Sequence, residues 1–161
     1  MTVDQGRFVL EGLSMSSASQ PEAAAEAPVN FRHSFRVPYG DCDMQGVVFN
    51  ANYLVYIDDA FDRWIASVLG ADYLKQLDVM VKTAAQEWIA AARHPDIVTL
   101  EMTVERWGRT SFDVRTDMAT ADGPVMTARL RYVCVDSTTH RPKPVPDGVR
   151  AQLAQSRPTE V

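Results

Sequence analysis

Two carboxylates two residues apart, Asp41 and Asp43, stand in the segment YGDCDMQGVVFNANY (residues 39–53), just ahead of a stretch with helical periodicity. A carboxylate beside a carbonyl carbon can attack it directly or deprotonate a water that does so. The start of a helix presents free backbone N–H groups and a partial positive charge, which polarise a carbonyl oxygen and stabilise the oxyanion formed on attack. The same residues have a plainer use, because Asp in a loop before a helix commonly caps the helix or forms a turn. Spacing alone leaves both uses open.

Other reactive residue types are less promising. Cys42 lies between the two aspartates, whose negative charge raises a thiol pKa, so it reads as an inert packed thiol. His33, His94 and His140 are scattered; none stands beside a Ser or Cys as a triad requires, and they read as surface or turn residues. Cys42 and Cys134 form neither a CxxC pair nor a Cys/His pattern, so no metal site and no disulfide framework are expected.

The elements that must position the two aspartates follow from pattern. FRHSFRV (residues 31–37) is a strand candidate and PYGDCDMQG is a loop, so chemistry placed there sits at a strand end. Leu54, Ile57, Phe61, Trp64, Ile65 and Val68 recur at steps of three and four, with Asp58, Asp59, Asp62 and Arg63 opposite, which predicts a helix. Asn50 or Asn52 would cap its start and Gly70 would end it. A short helical piece over 71–77 precedes four strand-like runs, at 79–91, 97–107, 111–119 and 125–135, which read as consecutive antiparallel strands. GRT and TADG resemble hairpin loops, and HPD marks the break before the second run. The prolines after Asp136 exclude a further ladder, and DGVRAQLAQ closes the chain as a helical turn.

One helix covers only one face of such a sheet and leaves an edge strand open, so a partner subunit is expected, most simply in a homodimer, with a homotetramer as the next step. The net charge of −5 disfavours a nucleic-acid partner. More than half of that negative charge lies before residue 28, in Asp4, Glu11, Glu22 and Glu26 against Arg7. Residues 1–30, rich in Ala, Ser, Glu and Pro, read as a disordered or loosely ordered tail, and the folded domain as residues 31–155. Neither a signal peptide nor a membrane-crossing run is evident, so the chain reads as cytoplasmic, with no membrane partner.

RVPYGDCDMQGVVFNANYLVYIDDAFDRW resembles the opening of the 4-hydroxybenzoyl-CoA thioesterase family of hotdog proteins. The family's aromatic residue, Asp-x-Asp, Gly-[Val/Ile]-Val and closing Asn-Tyr are present in register, and the likeness continues in VERWGRTSF and weakly in RYVCVD. The resemblance implies an α+β hotdog fold, a long central helix wrapped by a five-stranded antiparallel sheet, and hydrolysis of an acyl-CoA thioester to a carboxylic acid and CoA. It places the essential carboxylate at Asp43 and leaves Asp41 as a partner of the loop backbone. Tyr39 matches an aromatic near the site, and Gly46 and Val47 match helix-start backbone whose amide meets the thioester oxygen.

Asn50 departs from the family, in which many relatives have His or Tyr; an Asn donates a hydrogen bond but shuttles no proton near neutral pH. Arg109, Thr110 and Ser111, and more loosely Arg131, match positions that bind CoA phosphates and pantetheine, and Arg suits phosphate through its two parallel donors. Related thioesterases carry their acid on the central helix, where Asp58 stands, although a solvated or interface carboxylate is the simpler reading of that residue. Trp64, Trp88, Trp107, Phe61, Met80 and Met102 would line an acyl pocket or form ordinary core. No metal or redox cofactor is implied, since CoA is part of the substrate. Two alternatives are an acyl-carrier-protein thioesterase and a catalytically silent hotdog that binds acyl-CoA or a protein.

Overall fold

Alternation sets the first element: in β1 (Phe31–Arg36) the side chains of Phe31, His33 and Phe35 are half-buried while Arg32, Ser34 and Arg36 are exposed. The structure is a computed structural model and describes residues 28–158, so residues 1–27 of the expected tail lie outside the described residues. A 3₁₀ turn (Tyr39–Asp41) and a loop lead into α1 (Asn52–Leu69) and the single turn α2 (Tyr73–Gln76). β2 (Val79–Trp88), β3 (Ile97–Trp107), β4 (Ser111–Thr120), β5 (Gly123–Cys134) and α3 (Asp147–Gln155) complete the chain. The closing segment is therefore a nine-residue helix rather than one turn.

All five strands form one antiparallel sheet in the order β1-β3-β4-β5-β2. The expected run of consecutive strands holds for β3, β4 and β5. It fails for β2, which pairs with β5 and forms the edge opposite β1. The reason lies in residues 89–96, which cross the end of the sheet instead of turning back on β2. Fully buried Ala92 anchors the crossing, its carbonyl accepting the Val48 amide at 2.8 Å and its amide donating to the Tyr53 hydroxyl at 3.3 Å.

α1 lies across the inner face of the sheet. Its buried face is Tyr53, Ile57, Ala60, Phe61, Trp64, Ile65 and Leu69, slightly rotated from the expected stripe, with Leu54 and Val68 only partly covered. Beneath it the strands present alternating inner positions, among them Leu100, Met102, Phe112, Met118 and Leu130. The tightest helix-to-sheet contact is aromatic: Phe61 stacks on Tyr132 at 4.0 Å and 6°, and Phe112 lies 5.6 Å from Tyr132. Of the aromatic and Met residues expected at a pocket or core, Trp64 and Met102 are fully buried core, whereas Met80 and Trp88 are exposed on β2. Leu100→Ala should cost about 2–5 kcal/mol of stability, because the site is enclosed and refills poorly; urea unfolding would show a lower midpoint at an unchanged slope.

Candidate active site

The loop between β1 and α1 is built around its two aspartates in different ways. The Asp41 carboxylate accepts a 2.7 Å hydrogen bond from the Tyr56 hydroxyl, one turn inside α1. Its carbonyl accepts the Phe49 amide at 2.9 Å and the Asn52 side-chain amide at 3.0 Å. Asp41 thus ties loop to helix, as its expected structural part requires. Burial and the adjoining Asp41 carboxylate push the Tyr56 phenol well above its ordinary range, which keeps it a neutral donor.

Asp43 stands at the head of a tight turn. Its amide donates to the Val47 carbonyl at 2.9 Å, its carbonyl accepts the Gly46 amide at 2.9 Å, and Oδ1 accepts the Gln45 amide at 2.7 Å. Gly46 has φ +74°, which a side chain would strain. Cys42 and Val48 bridge the two sides of this turn. Among the described residues Oδ2 of Asp43 has no partner, so one carboxylate oxygen orients the group and the other faces solvent.

The turn revises the oxyanion expectation. The Gly46 amide is committed to the Asp43 carbonyl, and α1 begins only at Asn52. The Val47 and Asn50 amides have no hydrogen-bond partner among the described residues and remain available as donors. Neither Asn50 nor Asn52 caps the helix: Ala51 occupies the cap, without a side-chain hydrogen bond, because the Asn52 side chain is drawn to Asp41. Gly70 does end α1, with φ +82°. Tyr39 is 82 % exposed and meets His94 edge-on at 5.8 Å. His94 in turn contacts the Val37 carbonyl at 2.9 Å and braces the loop, whereas His33 is half-buried between Phe31 and Phe35 rather than at the surface.

The CoA-binding candidates sit elsewhere. The Asp43 loop lies at the Ile97 end of β3, where Val37 donates to the Asp96 carbonyl, and the hairpin with Arg109 and Thr110, which leads into Ser111, follows the Trp107 end. Eleven strand residues separate the ends by about 35 Å, so one chain does not bring Asp43 and Arg109 together. Arg109 is exposed, its carbonyl held by the Val145 amide at 3.0 Å, and the Thr110 carbonyl accepts the Cys134 amide at 2.8 Å. Arg131, part-exposed on the strand, is not free for phosphate: it grips Asp113 with two hydrogen bonds of 2.6 and 2.8 Å and holds that carboxyl below its ordinary range. Sequence reading missed Tyr56, signalled only by a phenol at a part-buried helix position, and Arg150. The latter lies 5.2 Å from the Trp107 ring and donates to the Gly108 carbonyl at 2.6 Å, bracing the Arg109 hairpin. Among the described residues no three His, Cys, Asp or Glu side chains group as a metal site would.

A long helix laid in a five-stranded antiparallel sheet is the hotdog arrangement. The chain belongs to the thioesterase-like superfamily, whose model matches residues 37–153. It is 26 % identical over 133 residues to an acyl-CoA thioester hydrolase, YbgC, of Escherichia coli O6:H1, which covers 78 % of this chain and 96 % of that protein. A 4-hydroxybenzoyl CoA thioesterase mutant complexed with 4-hydroxybenzoyl CoA superposes with a TM-score of 0.68 at 21 % identity, covering 76 % and 96 % of the two chains. A 1,4-dihydroxy-2-naphthoyl-CoA thioesterase from Synechocystis superposes at 0.68 with 18 % identity, covering 78 % and 96 %.

Tyr56→Phe should cost about 1.5–3 kcal/mol, since it removes a hydrogen bond to a carboxylate; differential unfolding of the variant checks this. Asp113 has a lowered pKa, so the stability it contributes is present above the ordinary carboxylate pKa and is lost as pH falls through its own lower value. Arg131→Gln should therefore destabilise at neutral pH, with the gap to the wild type closing in acid, as urea unfolding across pH will read.

Proposed function

We propose that this protein hydrolyses an acyl-CoA thioester to a carboxylic acid and CoA, with Asp43 as general base. The observation that carries the reading is the carboxylate at the head of its turn, Oδ1 fixed by Gln45 and Oδ2 unpartnered, in one loop with the unpartnered Val47 and Asn50 amides. Oδ2 takes a proton from water, the water oxygen bonds to the thioester carbon, and those amides hold the oxyanion. The intermediate collapses with cleavage of the C–S bond, and the proton passes to the departing thiolate. Carboxylate, amides and water suffice for these steps, so no metal or redox cofactor is invoked. Asn50 contributes its backbone rather than a proton shuttle, and Tyr39 covers the loop.

The working unit in this reading is a homodimer, with a tetramer built from two such pairs. β2 offers ten residues of unpaired edge, and its inner-face Val81, Ala84 and Trp88 stay exposed at the margin of the helix-covered core. Antiparallel pairing of two β2 edges about a twofold axis reverses the partner and carries its Arg109 hairpin to the end of the molecule where Asp43 lies. Arg109, Thr110 and Ser111 then serve CoA across the interface. Unpaired Cys42 and Cys134 and a CoA substrate fit a cytoplasmic enzyme.

Asp43→Asn should lower kcat by about 10²- to 10⁴-fold with KM little changed, read as thiol release from benzoyl, phenylacetyl, short-chain and long-chain acyl-CoAs. Absence of turnover on every acyl-CoA, with the protein folded, overturns the reading. Ala84→Lys, which sets a charge at the centre of the β2 edge, should shift the mass in size-exclusion with light scattering from dimer to monomer.

A further inference from the structure

α1 and the start of β2 flank a solvent-open cavity of about 310 Å³ that the hydrolytic loop does not line. Phe61, Ile65 and Leu77 give it apolar walls, and Asp58, Asp62 and Asp78 give it three carboxylates. Among the described residues that line it, none is Lys, Arg or His. Asp62 accepts the Tyr73 hydroxyl, but Asp58 has no hydrogen-bond or ion partner among the described residues. Asp58 is exposed in the single chain, yet the protein around it desolvates its carboxyl enough to push it above its ordinary range.

A second, independent feature marks the same cavity. Tyr132, in its wall, is 2 % exposed and its hydroxyl has no hydrogen-bond partner. An unmet hydroxyl at such depth costs free energy that a ligand atom recovers. Burial and then the charge on Asp58 raise the phenol's pKa, which places the two groups within electrostatic reach of each other.

Along α1 the cavity lies past the helix start that the Asp43 loop enters. Leu54, Asp58, Phe61 and Ile65 follow one helical stripe, and Asp58 lies six residues past the first helical residue, Asn52, or about 9 Å along the axis. An extended chain of about eight bonds, at ~1.2 Å each as in extended backbone, covers that distance.

We propose that this cavity receives the far end of an acyl group bearing a primary ammonium, held between Asp58 and Tyr132, so that ω-aminoacyl thioesters are the preferred substrate class. This rests on the thioesterase reading above. An ammonium supplies three donors and the missing positive charge. A methyl end leaves the carboxylate and the hydroxyl unmet, and a carboxylate end meets three like charges.

The test compares 8-aminooctanoyl-, 8-hydroxyoctanoyl-, nonanoyl- and nonanedioyl-CoA, matched in reach, on the wild type, Asp58→Asn and Tyr132→Phe. Nonanoyl-CoA turnover, lost in Asp43→Asn, monitors hydrolysis itself. The amine should exceed nonanoyl by about tenfold or more in kcat/KM, as expected for a hydrogen bond to a charged group, with nonanedioyl lowest. That ratio should collapse toward one in Asp58→Asn and shrink in Tyr132→Phe. Calorimetric titration of the same four thioesters into Asp43→Asn reads end-group preference without turnover, so failed hydrolysis and failed selection are told apart. An amine no better than nonanoyl, a hydroxyl equal to the amine, or a preference that survives Asp58→Asn overturns the proposal.

Discussion

The inner face of the sheet accepts one helix, and the position of α1 on it decides where the Asp turn and the open edge fall. Phe61 stacked flat on Tyr132 fixes the helix against β5, with Phe112 of β4 completing the aromatic layer. Once that contact is set, the first turn of α1 falls beside the crossing at Ala92, where Tyr53 and Val48 are received. The Asp turn is then suspended between β1 and a helix whose place is already determined. The same contact leaves β2 at the margin of α1, which touches it through Tyr53 edge-on to Trp88 at 6.2 Å. A bulge between Val81 and Thr83 changes which of its side chains turn inward.

Much of this was legible in the sequence, because each feature rested on a local rule. The helix was visible through its three-and-four spacing, and β3 and β4 through continuous runs between short Gly-bearing loops. Asp43 stands apart from Asp41 only through the resemblance of its motif to a thioesterase family, while Gly46 signals the turn by supplying the positive φ that closes it. What stayed illegible was non-local. Nothing in residues 79–97 says whether a chain turns back beside its predecessor or crosses the sheet; that depends on a buried slot for Ala92 made by other elements. Nor does a string of residues show that Arg131 is spoken for by Asp113, or that Tyr56, in the helix that follows the loop, holds the Asp41 carboxylate. The helix cap is illegible for the same reason, since the Asn52 side chain finds its partner in the Asp41 carbonyl across the loop.

The outer face of the sheet is ordered by charge rather than by packing. Arg32 with Glu101, Arg129 with Glu105, Arg115 with Asp117, and Arg131 with Arg106 on Asp113 neutralise one another within β4, between adjacent strands and, for Arg129 with Glu105, across β4 from β5 to β3. Pairs this exposed contribute little stability each, but they keep a flat polar surface soluble and discourage sheet-to-sheet stacking. Against this self-matched background, Arg109 keeps its guanidinium free because it stands on a hairpin, past the last cross-strand pairing position.

The unpaired edge of β2 has a thermodynamic side. In the proposed homodimer the ten-residue edge of β2 is completed by the partner, so part of the fold's stability resides in that pairing and mass action governs it. Folding free energy, resistance to proteolysis and the integrity of any site that spans the edge then share one variable, the concentration of the protein, and dilution weakens all three together.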